Sequence, residues 1–371
     1  MKKYLHSFIE SLLRIKRYLK YSRHFRKLMR MQHIDNILSK GENEYVAFWK
    51  QLSPRVEIYS YRFFRHYCGD SRFIVPEDLG HSFIESSLNP KRYTSFYEDK
   101  NMLPVLLPSG TVPATLLCRI NGSNILDGNR LKSAIGWDAT AEHLFARMGG
   151  GKIILKPSID SSSGRRVMMF YPQNNKYVTQ DNMVLDGRFL YEYGADWVLQ
   201  EAVKQHPYIS RFCSSSVNTI RINTYRSVED EQVYILSAAI RIGHEGSVVD
   251  NLHAGGGFVG IDVETGEMKH EVLDQYGNRT TSLNGIDFAD ETFTIPDWVK
   301  IKEFSRNVAA LNLHCRLIAL DVALKDDGNP ILIEWNVTPY SFSYWIPMMT
   351  GVTPFGDKTE EIVKYCMKNR K

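Results

Sequence analysis

The sequence predicts an α+β protein in which a mostly helical N-terminal region precedes a strand-rich α+β region. Three observations predict it. Residues 31–95 are aromatic-rich and helical in pattern, with breaks at Pro54, Pro76 and Pro90. From about residue 99 the texture changes to short β-rich runs that alternate with helical stretches and glycine-rich turns. Near the C-terminus, residues 317–324 and 331–334 are apolar runs flanking the turn 325–329, which reads as a hairpin.

Residues 1–30 carry ten Lys and Arg against Glu10 alone, while Leu5, Phe8, Ile9, Leu12, Ile15 and Leu19 recur at helical spacing. This is a basic amphipathic helix. Its apolar stripe either lies on an anionic membrane surface or docks on its own domain with the cations in solvent. Residues 31–95 form the helical region, and residues 96–371 the strand-rich region. The expected strands are 153–155, 197–199, 217–225, 233–242, 258–263, 317–324 and 331–334, with a helix around 307–313 after Pro296.

Composition narrows the function classes. A chain of 371 residues with 43% hydrophobic and 24% charged residues buries a sizeable core and is not disordered. A net charge of +4 is too mild for a nucleic-acid binder at this length, and no nucleic-acid motif is present. The five cysteines are scattered without zinc-ligand spacing, so they read as reduced thiols. No apolar run spans a bilayer, and Arg14, Lys16 and Arg17 interrupt any secretory h-region. The expected placement is cytoplasmic, with peripheral contact at the inner face of the membrane through residues 1–30.

The sharpest chemistry lies in the C-terminal hairpin. Asp321 interrupts an otherwise apolar strand; Glu334 and Asn336, two apart, share one face of the next. Three oxygen ligands converging there suit Mg²⁺, which takes one or two carboxylates plus nucleotide phosphates. Upstream, a strand delivers Lys156, followed by the small polar loop Ser161, Ser162, Ser163, Gly164. Such a loop cradles phosphate oxygens that a lysine neutralises, although the Walker A order GxxxxGK[ST] is absent. The strand ending Gln200-Glu201-Ala202-Val203 offers backbone groups to the edge of an adenine, and His206 a contact to a ribose. Arg221 and Arg241 lie on strands near Asn251 and a run of three glycines, Gly255 to Gly257, where forked hydrogen bonds suit a carboxylate or acyl phosphate.

This ordered series resembles the ATP-grasp superfamily over about residues 95–350. Within it, Gln205-His206-Pro207, Ser216 to Arg221, Arg241-Ile242-Gly243, Val249-Asp250-Asn251 and Gly255-Gly256 most resemble the sugar-transfer-associated ATP-grasp group. The resemblance implies an ATP-grasp catalytic region over 96–371, two α+β lobes clasping ATP, a smaller nucleotide lobe at about 140–200 and a larger metal and substrate lobe at about 201–350, with Lys100 and Lys156 on the phosphates and Ser161 to Gly164 above them. It implies Gln200 to Val203 as the adenine hinge and Asp321, Glu334 and Asn336 as Mg²⁺ ligands, with Arg221, Arg241 and Asn251 facing the reacting carboxylate. One departure is Ala319, where D-alanine-ligase-like members carry an arginine; Arg241 resembles instead the arginine of the glutamate-ligase type. The expected activity is an ATP-dependent carboxylate–amine ligase acting on cell-surface polysaccharide or glycan precursors, with a small or glycan-linked acid and an amine as partners. The rivals are a hydroxyl kinase on the same fold and a non-catalytic, membrane-associated nucleotide-binding scaffold.

Overall fold

The computed structural model describes residues 2–126, 150–159, 164–247, 255–338 and 340–369. The N-terminal region holds α1 (Lys2–Met31), α2 (Gly41–Trp49) and α3 (Tyr59–Cys68). Next, α4 (Glu77–Leu79), a π turn (Gly80–Ile84) and α5 (Glu85–Leu88) run on as one helix, before α6 (Lys91–Glu98) and α7 (Leu103–Leu106). Pro76 and Pro90 cap the starts of α4 and α6, where a missing N–H is harmless. Two sheets follow, every pairing antiparallel.

The smaller sheet has the order β2-β1-β6-β3-β4-β5. Its strands are β1 (Thr115–Ile120), β2 (Ser123–Leu126), β3 (Ile153–Pro157), β4 (Met168–Gln173), β5 (Lys176–Val178) and β6 (Trp197–Glu201). The sheet therefore begins at Thr115, upstream of the 140–200 span expected for this lobe. Ile153, Leu155, Phe170 and Leu199 pack with Leu190 of the helix Gly187–Tyr193. Strand alternation then sends Ile154 and Lys156 to the opposite face.

The larger sheet has the order β11-β10-β9-β8-β7-β14-β15. It comprises β7 (Thr219–Arg226), β8 (Val233–Ile242), β9 (Gly257–Ile261), β10 (Met268–Leu273), β11 (Arg279–Thr280), β14 (Leu317–Leu324) and β15 (Pro330–Asn336). A small hairpin, β12 (Ser282–Leu283) with β13 (Ile286–Asp287), lies apart. Both faces are covered, which is why β14 is apolar at nearly every position and buried throughout. Ile220, Ile222, Ile318 and Leu320 pack on one face with Trp298, Ile301 and Val308 of the helix Trp298–Ala310. That helix covers the first part of the 307–313 span expected and stops at Ala310; beyond it Asn312 Oδ1 accepts from the Cys315 N–H and closes a turn. On the other face, Tyr225, Ala239, Leu317 and Ala319 meet the N-terminal helices and the helix Ser341–Met349. The N-terminal helices, α1 included, thus build a large part of the core beneath the face that carries Asp321, Arg221 and Arg241.

The glycine run has a packing cause at one position. A Cβ on Gly257 would meet Val272 Cγ1 of the neighbouring strand, so that glycine serves sheet pairing. Of the loop before it, residues 248–254 lie outside the described residues.

Two devices tie the N-terminal helices down. Glu57 sits ahead of α3 and accepts from the Tyr59 and Ser60 N–H groups and from Ser22 Oγ of α1, a carboxylate at a helix N-terminus. Asn89 bonds the ends of both hairpin strands: its Nδ2 donates to the Leu317 and Val337 carbonyls, and its Oδ1 accepts from the Arg316 and Leu317 N–H groups. Asn89→Ala leaves several of these buried groups unpaired and is expected to cost about 3 kcal/mol, read by urea unfolding. A cost under about 1 kcal/mol would show that the clamp is redundant.

His81 links the helices electrostatically. Burial pushes its imidazole down, but contacts to Glu77 (3.4 Å) and Glu85 (2.8 Å) outweigh that and raise it to about 9. The Tyr21 and Tyr344 rings flank it. A raised imidazole contributes stability that is complete below its ordinary value of 6.5 and is lost as pH rises through about 9. Buried Asp78, raised to about 7 by burial and Glu57, removes stability in the same direction but over a lower window. Between about pH 7 and pH 9 the fall in unfolding free energy is therefore expected to belong to His81, amounting to at most roughly 3 kcal/mol. His81→Gln should flatten the profile there; an unchanged slope would remove the assignment.

Candidate functional site

The two sheets face each other across a cleft, and strand register determines what each offers. In the large sheet Asp321 pairs with Glu334 on one side and with Arg221 on the other, so the three side chains form one polar row. Asp321 is 1% exposed. Arg221 grips it with both arms of its fork, Nε to Oδ1 at 2.5 Å and Nη2 to Oδ2 at 2.9 Å. Arg241, one strand further and opposite Thr219, adds Nη1 to Oδ2 at 3.1 Å. A buried carboxylate held by two guanidinium groups is a fixed, charge-compensated unit.

Glu334 is differently held. Its partner is Lys100, Nζ to Oε2 at 3.0 Å. The Lys100 N–H donates to the Ser158 carbonyl of the small lobe, so this lysine is anchored on one lobe and bonded to the other. Burial raises the Glu334 carboxyl, but the Lys100, Lys156 and Arg221 charges outweigh it and hold the group below its ordinary range. Lys156 faces the same space; burial and the nearby Lys100 ammonium lower it to about 8. Lys100, Lys156, Arg241, Asp321 and Glu334 all line one cavity.

Part of that cavity's lining is apolar. Ile154, Met169 and Ile333 form its walls, with Ile154 and Met169 cross-strand neighbours. Gln200, Glu201, Ala202, Val203 and Gly164 line it as well. The Glu201 N–H donates to the Ala114 carbonyl and the Ala202 N–H to that of Lys152, which fixes the hinge backbone. Gln200 Nε2 donates to the Pro113 carbonyl at 3.2 Å, while its buried Oε1 has no protein partner among the described residues. A planar heterocycle between apolar walls, presenting an amino group to an orphan acceptor, matches this part of the lining; polyanionic phosphates match the lysines.

The donor set also fits a magnesium ion. Asp321 and Glu334 supply hard oxygen donors from directly paired strand positions. Asn336 lies two residues beyond Glu334 on the same strand, and its amide oxygen would be the third donor.

Other residues singled out in the sequence have different surroundings. His206 caps the helix Pro207–Ser210, its Nδ1 accepting from the Tyr208 N–H at 3.2 Å, and it is not among the cleft-lining residues. Gln205 bonds the Cys213 and Ser216 carbonyls and accepts from the Asn218 N–H, while Asn218 bonds the Ile209 and Cys213 carbonyls. This part of the motif is a knot that sets the start of β7. Arg221, expected to face a reacting carboxylate, gives its fork to Asp321. Ser161, Ser162, Ser163 and Asn251 lie outside the described residues. The apolar walls Ile154, Met169 and Ile333 went unassigned in the sequence, as did Thr219. The alternation of Ile153 and Leu155 with Ile154 and Lys156 was the available signal for the first.

Two antiparallel sheets closing on a cleft of lysines, arginines and paired carboxylates define an ATP-grasp protein. The chain belongs to the sugar-transfer associated ATP-grasp family, whose profile matches residues 81–361. Among solved structures it is similar to D-cycloserine synthetase DcsG, at 12% identity and a TM-score of 0.43, covering 76% of this chain and 74% of that one. It is also similar to the ATP-grasp ligase PsnB complexed with precursor peptide PsnA2 and AMPPNP, at 14% identity and a TM-score of 0.40, covering 75% and 62%. A third is an N5-carboxyaminoimidazole ribonucleotide synthetase in its ADP complex, at 11% identity and a TM-score of 0.41, covering 73% and 52%. The chain thus spans less than two thirds of the latter two. A comparison with curated proteins returns no match.

Proposed function

We propose that the protein is a magnesium-dependent carboxylate–amine ligase that acts on a glycan precursor. The observation that carries the reading is the convergence of Lys100, Lys156, Arg241, Asp321 and Glu334 on one cavity that Ile154, Met169 and Ile333 also line. ATP binds with its adenine between Ile154, Met169 and Ile333 and its phosphates toward the two lysines. An oxygen of the substrate carboxylate attacks the γ-phosphorus, giving ADP and an acyl phosphate. The amine then attacks the acyl carbon and expels phosphate, which carries away one carboxylate oxygen, and the amide remains.

Such transfers need positioning and charge stabilisation more than covalent help. Lys100 and Lys156 neutralise phosphate oxygens, and Arg241 orients the carboxylate. Arg221 holds Asp321 in place. Asp321, Glu334 and Asn336 would hold Mg²⁺, which supplies charge neutralisation on the phosphates. From the sequence alone, Ser161 to Gly164 and Asn251 are assigned to the phosphate cover and the carboxylate side. The family's association with sugar transfer supports a sugar acid, a uronic acid above all, as the carboxylate.

The test is Mg-dependent ADP release from ATP, screened across uronic acids with pooled amines. Release that requires both an acid and an amine is expected. Release with a hydroxylated acceptor alone, leaving a stable phosphorylated product, would replace the ligase with a kinase.

A further inference from the structure

The helix α1 carries two apolar faces, and the fold uses one of them. Ser22, Phe25, Leu28 and Met29 are buried, with Phe25 against Phe63, Phe64 and Trp345 at ring-centroid distances of 5.6, 5.4 and 5.7 Å. The stripe that stands out in the sequence is not the one that docks. Leu12, Ile15 and Leu19 are 50%, 40% and 41% exposed. At about 100° per residue their face is rotated by roughly 100° from the docked one. Continuing along the same line, the helix presents Arg23, Arg26 and Arg30, with Lys16 and Lys20 at its flank. The side chains of Leu5, Phe8 and Ile9 lie outside what the structure describes.

We infer that this outer face of α1 seats the protein on an anionic phospholipid surface. Apolar residues followed along one face by cations, on a helix held rigidly at its other end, suit the boundary between headgroups and acyl chains. Leu12, Ile15 and Leu19 enter that boundary while Lys16, Lys20 and Arg23 meet the lipid phosphates. Charge selects this occupant over a second copy of the chain. Residues 12–30 carry eight Lys and Arg and no acidic residue, so two such faces repel each other. The three exposed aliphatic side chains select it over a nucleic acid, whose backbone calls for the cations alone. No helix among the described residues is long and apolar enough to cross a membrane, so the contact lies on the surface. A seat on the membrane brings the protein to lipid-linked substrates, a consequence that rests on the proposed function.

The experiment is flotation of the full chain with vesicles of phosphatidylcholine, alone or mixed with phosphatidylglycerol. Binding to the anionic vesicles, weakened by salt and absent on the neutral ones, is expected. Leu12→Ser/Ile15→Ser/Leu19→Ser should weaken it at least about tenfold with unchanged thermal unfolding, because these side chains are exposed in the folded protein. Lys16→Glu/Lys20→Glu/Arg23→Glu should weaken it similarly. The inference is overturned if the folded wild-type chain does not float with anionic vesicles. It is equally overturned if the triple serine variant floats as well as wild type, or if the face instead dimerises or binds nucleic acid. ADP release from a soluble substrate should be the same in both variants, so failure here is distinguishable from failure of the ligase reading.

Discussion

Asp321→Ala is expected to lower the unfolding free energy by about 3–5 kcal/mol, the cost of removing one partner from a buried ion pair. Asp321 is 1% exposed and Arg221 8% exposed, and without the carboxylate the forked guanidinium of Arg221 keeps its charge and loses the acceptors of both its bonds. Arg241 loses its bond to Oδ2 as well. The strand itself remains apolar and well paired, so the penalty is electrostatic. Urea unfolding of wild type and variant measures it. A change under about 1 kcal/mol would mean that solvent reaches the two arginines and that the pair behaves as a surface one.

Glu334→Gln should do the reverse, lowering turnover by about 10²–10³-fold while costing less stability than Asp321→Ala. Its side chain is 29% exposed and bonds one lysine. Glutamine keeps the shape and an oxygen toward Lys100 but removes the negative charge that, with Asp321 and Asn336, is assigned to the metal. Steady-state ADP release at saturating magnesium, paired with urea unfolding, separates the two effects. Normal turnover would remove Glu334 from the metal site. A large loss of stability would recast it as a structural acid. The contrast between Asp321 and Glu334 is therefore itself a prediction: adjacent carboxylates in one register, one mainly structural by its partners and one mainly functional by its exposure.

The parts of this picture that were legible in the sequence are those with local periodicity. Asp321 in an apolar strand, Glu334 and Asn336 two apart, and Lys156 at the end of an alternating run each carry their facing direction in the chain itself. The helical N-terminal region was legible too. What it covers was not, because its contacts to β14 and the helix Ser341–Met349 join residues far apart in sequence. The Arg221–Asp321 pair is separated by 100 residues, and nothing local tells that the fork is aimed at a neighbouring strand. Gln205, His206 and Asn218 stand in a motif, yet their side chains bond local backbone; a polar residue in a conspicuous motif reads as a ligand until its partners are known. The stripe on α1 shows the same limit: periodicity reveals that a face is apolar, and only the fold shows whether anything covers it.

The most direct test of the central claim follows a single oxygen atom. A uronic acid labelled with ¹⁸O in its carboxylate is incubated with the enzyme, Mg-ATP and an amine that together support ADP release, and the released phosphate is examined by mass spectrometry. Attack of the carboxylate on the γ-phosphorus predicts one ¹⁸O in each phosphate, matched by its loss from the amide product. Phosphate free of label, with both ¹⁸O atoms still in the sugar acid, would contradict carboxylate activation and with it the ligase reading of this cleft.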